Sequence, residues 1–90
     1  MSVKISVSQA MTEYSTGERL GEVNGSTVRE CLDQLVIKVP KMKRWLFDEN
    51  GKLYEYVDIF INKTSAFPEP LKKRVKDGDE LFIMSLIGGG

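Results

Sequence analysis

Alternation of apolar and polar side chains predicts the strands of a sheet. In "VKISV", Val3, Ile5 and Val7 fall on one face and polar residues on the other, which is typical of a half-buried strand. "ERLGEVNG" predicts a second strand, interrupted at Gly21, that forms an N-terminal hairpin with the first. "YVDIFIN" alternates again, with Val57 on its apolar face. "ELFIMSLI" is apolar on both faces, as expected for a strand in the middle of a sheet.

A helical pattern lies between the second and third predicted strands. "STVRECLDQLVIKVP" offers Thr27 as an N-cap, Glu30 three residues later to complete a capping box, and Pro40 as a stop. The apolar positions recur at helical spacing and form one face: Val28, Cys31, Leu32, Leu35 and Val39. We therefore predict one main amphipathic helix with Cys31 as a small buried side chain.

The remaining segments predict shorter elements and connections. "KMKRWLFDENGKL" is short and amphipathic, with Met42, Trp45 and Leu46 as core candidates. "KTSAFPEPLKKRVK" contains two prolines and is predicted to be a connection with one helical turn, and Gly78 in "DGD" indicates a tight turn.

The order strand, strand, helix, strand, connection, strand predicts an α+β fold. We expect a β-grasp (ubiquitin-like) roll, in which a mixed sheet wraps around one main helix. The first and last strands should pair in parallel at its centre, since the helix and loops supply the crossover. The predicted domain covers residues 1–87, and residues 88–90 form a flexible C-terminal glycine tail.

Composition narrows the classes of function. The chain has 90 residues, with thirteen basic and thirteen acidic side chains, so the basic surplus of a nucleic-acid binder is absent. No apolar run reaches the length of a membrane span and no signal peptide is evident, so we expect no membrane partner. Cys31 is the single cysteine, which is compatible with a cytoplasmic protein, and the absence of histidine removes the commonest general base and metal ligand.

Two groups of charged residues are candidate functional features. Asp77 and Asp79 resemble paired catalytic carboxylates, but they flank a turn glycine, and the turn is the favoured interpretation. A cationic run could steer an acidic partner or could simply be a solvated face, and the solvated face is favoured: Lys72, Lys73, Arg74 and Lys76. Catalytic residues and metal ligands are therefore expected to be absent from this chain.

The three terminal glycines, Gly88, Gly89 and Gly90, differ from these features. They have no side chains to pack, and the backbone entropy of glycine opposes a fixed shape. A thread of this kind can enter a narrow channel, so we expect it to deliver the Gly90 carboxylate to the active site of a partner. The alternative is an end without function.

Two motifs resemble those of the ubiquitin-like sulfur carriers. "VDIFINK" is similar to the third strand and following turn of that family, and "DGDELFIMSLIGGG" is similar to its ending. The family includes the small subunit of molybdopterin synthase and the sulfur carriers of thiamin and cysteine synthesis. The segment "VPKMKRWLFDENGKLYEY" resembles the insert of the molybdopterin-type and cysteine-type carriers.

The resemblance implies a specific chemistry for the tail. A ubiquitin-activating-type enzyme would adenylate the Gly90 carboxylate, and sulfur would displace AMP to leave a thiocarboxylate for a sulfur-accepting synthase. ATP and magnesium would belong to the adenylating enzyme, and this chain would bind no cofactor. The family ends in two glycines, so the extra glycine leaves Gly89 or Gly90 as the mature end and implies a trimming protease for any precursor; we favour Gly90.

The sheet also predicts where a partner docks. One face of the sheet covers the helix, and in the last strand either Phe82, Met84 and Leu86 or the alternating set Leu81, Ile83 and Ser85 must point outward. Phe60 lies opposite the core set of its own strand, and we choose the outward group Phe60, Phe82, Met84 and Leu86. An exposed apolar patch of this kind is typical of a partner site, although a loop could cover it instead.

Several functions share these features. Besides a free sulfur carrier, the chain could be the small subunit of a molybdopterin synthase, a protein modifier joined to lysines through the same tail, or a non-catalytic β-grasp binding module. The biosynthetic pathway stays open.

Overall fold

The fold places five strands around one main helix. A computed structural model describes residues 2–7 and 19–85. The strands are β1 (Ser2–Val7), β2 (Arg19–Asn24), β3 (Val57–Ile61), β4 (Thr64–Ser65) and β5 (Glu80–Ser85). The helices are α1 (Val28–Lys38), α2 (Met42–Leu46) and a short 3-10 helix (Pro70–Lys72).

The sheet order is β2-β1-β5-β3-β4, so the first and last strands are neighbours in its interior. β1 and β5 pair in parallel, with Lys4 opposite Glu80 and Val7 opposite Ile83. All the other strand pairs are antiparallel. This mixed sheet confirms the predicted β-grasp roll and its central parallel pair.

The predicted N-terminal hairpin is also present, with an irregularity at Gly21. Gly21 lies opposite Ile5 and has a φ of 112°, which a residue with a side chain rarely adopts. The register between β1 and β2 shifts at the next position, where Ser6 pairs with Arg19. The glycine that breaks the alternation in the sequence therefore allows the edge strand to change register.

The start of α1 follows the predicted cap with one difference. The Thr27 hydroxyl accepts a hydrogen bond from the Glu30 amide at 3.2 Å. The Glu30 carboxylate accepts mainly from the residue before the cap, Ser26, whose amide lies at 2.7 Å and whose hydroxyl lies at 2.8 Å, and the Thr27 backbone amide contributes more weakly. Those two bonds from Ser26 lower the pKa of the Glu30 carboxyl.

The core lies between α1 and one face of the sheet. α1 buries four of the apolar residues predicted for its inner face: Val28, Cys31, Leu32 and Leu35. The strands contribute the alternating set Val3, Ile5, Val7, Val57, Ile59, Leu81 and Ile83. Met42 and Leu46 of α2 extend the cluster, as predicted. Val39 and Trp45 are only half-buried and pack against its periphery.

The connection between β3 and β5 contains more structure than its sequence predicts. The single helical turn is present at Pro70–Lys72, as expected. The two-residue strand β4 was not predicted, because both of its side chains are polar and exposed. β4 pairs with the C-terminal half of β3, where Ile61 lies opposite Thr64.

Replacement of a buried leucine on α1 should destabilise the domain strongly. Leu35 is fully buried, so Leu35→Ala leaves a cavity and should lower the free energy of unfolding by about 2–5 kcal/mol. Ile37 on the same helix is 73% exposed, and Ile37→Ala should change it by less than about 0.5 kcal/mol. Urea unfolding of the three proteins measures both values; similar losses would contradict this assignment of the core.

Candidate functional site: the outer face of the sheet

The face of β3 and β5 that points away from the core carries an aromatic pair. Phe60 and Phe82 lie opposite each other in the strand register, and their ring centroids are 6.5 Å apart with the planes at 59°. Such tilted pairs are a favourable geometry for two aromatic rings. Phe82 is 37% exposed, whereas Phe60 is half-buried.

Met84 extends this aromatic pair along β5. It is half-buried and, with Phe60 and Phe82, borders a shallow depression of ≈ 370 Å³. The polar rim of the depression consists of Ser6, Asn62, Lys63 and Glu80. We call Phe60, Phe82 and Met84 the outer-face cluster; they are three of the four residues predicted for docking, and their docking role stays a prediction.

The other predicted site residues lie outside the described part of the chain. These are Leu86, the fourth member of the docking set, and the glycines Gly88, Gly89 and Gly90. The last described residue, Ser85, pairs with Val57 at the end of β5.

Asn62 holds the beginning of β5 against the end of β3. Its side-chain amide donates to Asp79 Oδ1 at 2.9 Å, and its Oδ1 accepts from the Glu80 amide at 3.0 Å. The Asn62 backbone amide donates to the Glu80 carbonyl at 2.9 Å. Its φ of 49° lies in the left-handed region that asparagine tolerates better than most residues. This residue therefore helps to set the register that brings Phe60 beside Phe82.

The Asn62 contact was not predicted, although it joins two motifs that the sequence displays. Asn62 belongs to "VDIFINK", and Asp79 belongs to "DGDELF". An asparagine directly after a strand is a signal for a left-handed turn residue, but its partner lies 17 positions away.

Asp77 and Asp79 are part of a turn, which confirms the favoured interpretation. Gly78 has a φ of 89°, and the Asp79 amide donates to the Lys76 carbonyl at 3.0 Å. Asp77 accepts a hydrogen bond from the Ser2 amide at 2.8 Å, which ties the turn to β1. Both carboxylates thus support the central strands.

Asp79 is a buried carboxylate with two strong donors. It accepts from Asn62 and, through Oδ2, from the Lys76 amide at 2.8 Å. The bond from Asn62, followed by that from Lys76, lowers the pKa of the Asp79 carboxyl.

Cys31 is fully buried on α1, as predicted. Burial, reinforced by the nearby Glu30 carboxylate, raises the pKa of its thiol to about 11. The thiolate is the reactive form of cysteine, so this side chain behaves as a small apolar residue.

The predicted cationic run is a surface feature. Lys72, Lys73, Arg74 and Lys76 are all exposed, and Lys72 Nζ lies 3.5 Å from Glu69 Oε1.

Within residues 2–7 and 19–85, acidic and cysteine side chains form no group of three that could hold a metal ion. None of the helices that the structure describes is long and apolar enough to span a membrane.

The fold and the ending of the chain define a class of small ubiquitin-like proteins that act as carriers or modifiers and are not enzymes themselves. The chain matches the ThiS family over residues 8–90, and it therefore belongs to this family of ubiquitin-like sulfur carriers.

Individual relatives resemble this chain in both sequence and fold. Small archaeal modifier protein 1 of Haloferax volcanii is 31% identical over 70 residues, which cover 77% of each chain. Its crystal structure superposes with a TM-score of 0.86 at 25% identity, covering 100% of both chains. A chain in the BexX/CysO complex of Amycolatopsis orientalis is 30% identical, with a TM-score of 0.78 and coverage of 98% and 99%.

Removal of the Asp79 charge should make stability less sensitive to acid. Because the folded-state pKa is lowered, the charged form stabilises the fold above the unfolded pKa, near 3.9, and this contribution is lost as the pH falls through the folded value. Asp79→Asn should lower the free energy of unfolding by about 1–3 kcal/mol at neutral pH, since an amide cannot accept both bonds. The difference from the wild type should shrink below about pH 4.

Chemical denaturation at a series of pH values measures this effect. Asp33→Asn, on the exposed side of α1, is the matched control and should change the free energy of unfolding at neutral pH by less than about 0.5 kcal/mol. A constant difference between wild type and Asp79→Asn at every pH would contradict the assignment.

Proposed function

We propose that this protein is a sulfur carrier whose Gly90 carboxylate is adenylated by a partner enzyme and converted to a thiocarboxylate. The observation that carries the proposal is the ThiS family match, which extends through Gly90 and so includes all three glycines. The thiocarboxylate would donate its sulfur to a synthase in the biosynthesis of a cofactor, thiamin or cysteine. We place this chemistry in the cytoplasm.

The chemistry explains why a partner must activate the chain end. A carboxylate is a poor electrophile, so one of its oxygens first attacks the α-phosphorus of ATP and pyrophosphate leaves. Hydrosulfide then displaces AMP from the acyl carbon, and the chain ends in a thiocarboxylate. All the catalytic groups in these steps, as well as ATP and magnesium, belong to the partner enzyme.

The chain contributes position and recognition to these steps. β5 lies in the interior of the sheet between β1 and β3, so the residue that precedes the C-terminal segment is held by strand pairing. Two members of the outer-face cluster, Phe82 and Met84, lie on the same strand, and Phe60 lies beside Phe82 on β3, so the cluster presents apolar surface next to that segment. We propose that the adenylating enzyme docks on this cluster while its active site receives the glycines.

A protein modifier is the second candidate. It is favoured by the 31% identity to small archaeal modifier protein 1, which is named for that role. The same activated end would then form an isopeptide bond to a lysine of a target protein instead of accepting sulfur.

Intact mass spectrometry of the untagged protein tests the carrier directly. After incubation with the adenylating enzyme from its own cells, ATP and sulfide, we expect a form heavier by the difference between sulfur and oxygen. Fragmentation should locate the change at Gly90 and so establish which glycine is the mature end. A variant that lacks Gly90 should not be converted, and its melting temperature should stay close to that of the wild type, since glycine has no side chain to pack.

Two results would contradict the carrier. An unchanged mass, with an enzyme shown to activate another carrier, would leave the modifier or a non-catalytic binding module. Isopeptide-linked ladders without a thiocarboxylate would assign the modifier.

A charge in the outer-face cluster should weaken docking. Phe82→Asp replaces an exposed ring, and we expect the KM for adenylation to rise about tenfold or more, because a carboxylate would have to be desolvated in the contact. Ile37→Asp adds the same charge at a 73% exposed residue of α1 and should leave the KM unchanged.

Pyrophosphate exchange measures this KM for all three proteins. Equal values for Phe82→Asp and wild type would remove the outer-face cluster from the docking site. Circular dichroism and thermal unfolding show whether each variant is folded, and Phe82→Leu, which keeps an apolar side chain, should bind nearly as well as the wild type.

A further inference from the structure

A short segment before β5 concentrates positive charge in a chain that is neutral overall. Residues 69–76 contain four cations and one carboxylate, whereas the whole chain carries thirteen of each sign. All four cationic side chains are exposed, and Lys72 lies near Glu69 at the margin of the segment. We call Lys72, Lys73 and Arg74, which are consecutive, the basic segment.

The basic segment is held in place by its backbone. The Val28 amide donates to the Lys73 carbonyl at 2.9 Å, and the Val75 amide donates to the Ser26 carbonyl at 3.0 Å. These bonds form an antiparallel bridge between Arg74 and Thr27, and the Val75 side chain is buried beside it. The three cations are therefore displayed from an ordered backbone that costs little further entropy to bind.

The position of the basic segment, beside the N-terminus of α1, is unfavourable for the stability of the fold. The bridge sets the basic segment against the N-terminus of α1, where the partial charge of the helix is positive and acidic side chains are the stabilising choice. Glu30, the acidic residue of the first turn, is engaged by Ser26. Of the three cations, Lys72 has an acidic neighbour in Glu69 at 3.5 Å, and charges at a position that does not favour the fold are expected where a function requires them.

From this geometry we infer that the basic segment is a docking surface for a cluster of carboxylates on a protein partner, the adenylating enzyme. The inference rests on the proposed function and adds a second, electrostatic contact to the apolar outer-face cluster. Complementary charges of this kind raise the rate of encounter and orient the partners.

A protein partner fits these charges better than a nucleic acid. A nucleic-acid-binding domain normally carries a basic surplus, and this chain carries no net charge. A local carboxylate cluster requires only a local complement, and three consecutive cations on a fixed backbone supply one.

Neutralisation of the basic segment tests the inference against a closely matched control. The test protein carries Lys72→Gln, Lys73→Gln and Arg74→Gln. The control carries Lys41→Gln, Lys43→Gln and Arg44→Gln, which remove two exposed lysines and one exposed arginine around α2. Both proteins change by the same net charge, so a difference between them reports position.

We expect the test protein to lose activation without losing stability. At about 50 mM salt its kcat/KM in pyrophosphate exchange should fall about tenfold, and the deficit should narrow to about twofold near 500 mM, because salt screens exposed charges. Its melting temperature should stay equal to that of the wild type or rise by a few degrees, since repulsion at the N-terminus of α1 is relieved. The control should keep kcat/KM within about twofold of the wild type.

Three outcomes would overturn the inference. Equal kcat/KM and salt dependence for test and control proteins would remove the basic segment from the interface while the proposed function stands. No exchange with the wild type would instead remove the proposed function together with this contact. Binding of a fluorescent single-stranded oligonucleotide by the wild type and the control, but not by the test protein, would assign the segment to a nucleic acid.

Discussion

The parallel pairing of β1 with β5 is the contact on which the other elements depend. It joins the first described strand to the last, and Val3, Ile5 and Val7 of β1 lie buried on the same side of the sheet as Leu81 and Ile83 of β5. The core between the sheet and α1 therefore requires contact between two segments that are distant in the sequence, and β3 pairs with the other side of β5. Because β5 is flanked on both sides, its outer-face side chains stand on a rigid backbone. The backbone that carries the candidate docking site is therefore the same backbone that holds the buried core residues of β5.

Hydrogen bonds at the turn before β5 also determine the register of this strand. Ser2, Asn62 and Asp79 connect this turn to β1 and to the end of β3 through side-chain and backbone hydrogen bonds. These bonds fix where β5 begins, and a shift of one residue would exchange its buried and outer sets. Asp77 and Asp79, which resemble paired catalytic carboxylates in the sequence, therefore help to decide which side chains of β5 lie on the outer face.

Much of this architecture can be predicted from the sequence because it follows from the local periodicity of apolar residues. Alternation predicted the buried faces of β1 and β3 and the outward position of Phe60, and helical spacing predicted the inner face of α1. Phe82 required a choice between two alternating sets, because the last strand is apolar on both faces in the sequence. The contact between Asn62 and Asp79 was not predictable in this way, because it joins residues that only the tertiary fold brings together. β4 consists of two polar, exposed residues and has no hydrophobic signal. The terminal glycines lie outside the described residues, so the role proposed for them rests on the family match alone.

The burial of Cys31 affects how sulfur at the chain end could be detected with a thiol-specific reagent. The chain contains a single cysteine, and its thiol is inaccessible and has a pKa raised to about 11. In the folded protein at neutral pH, Cys31 should therefore not react with an alkylating reagent, because little of its thiol is present as thiolate. Any sulfur acquired at the chain end would be the nucleophile that the reagent detects. Alkylation of the folded protein would therefore distinguish a sulfur atom at the chain end from the buried thiol of Cys31.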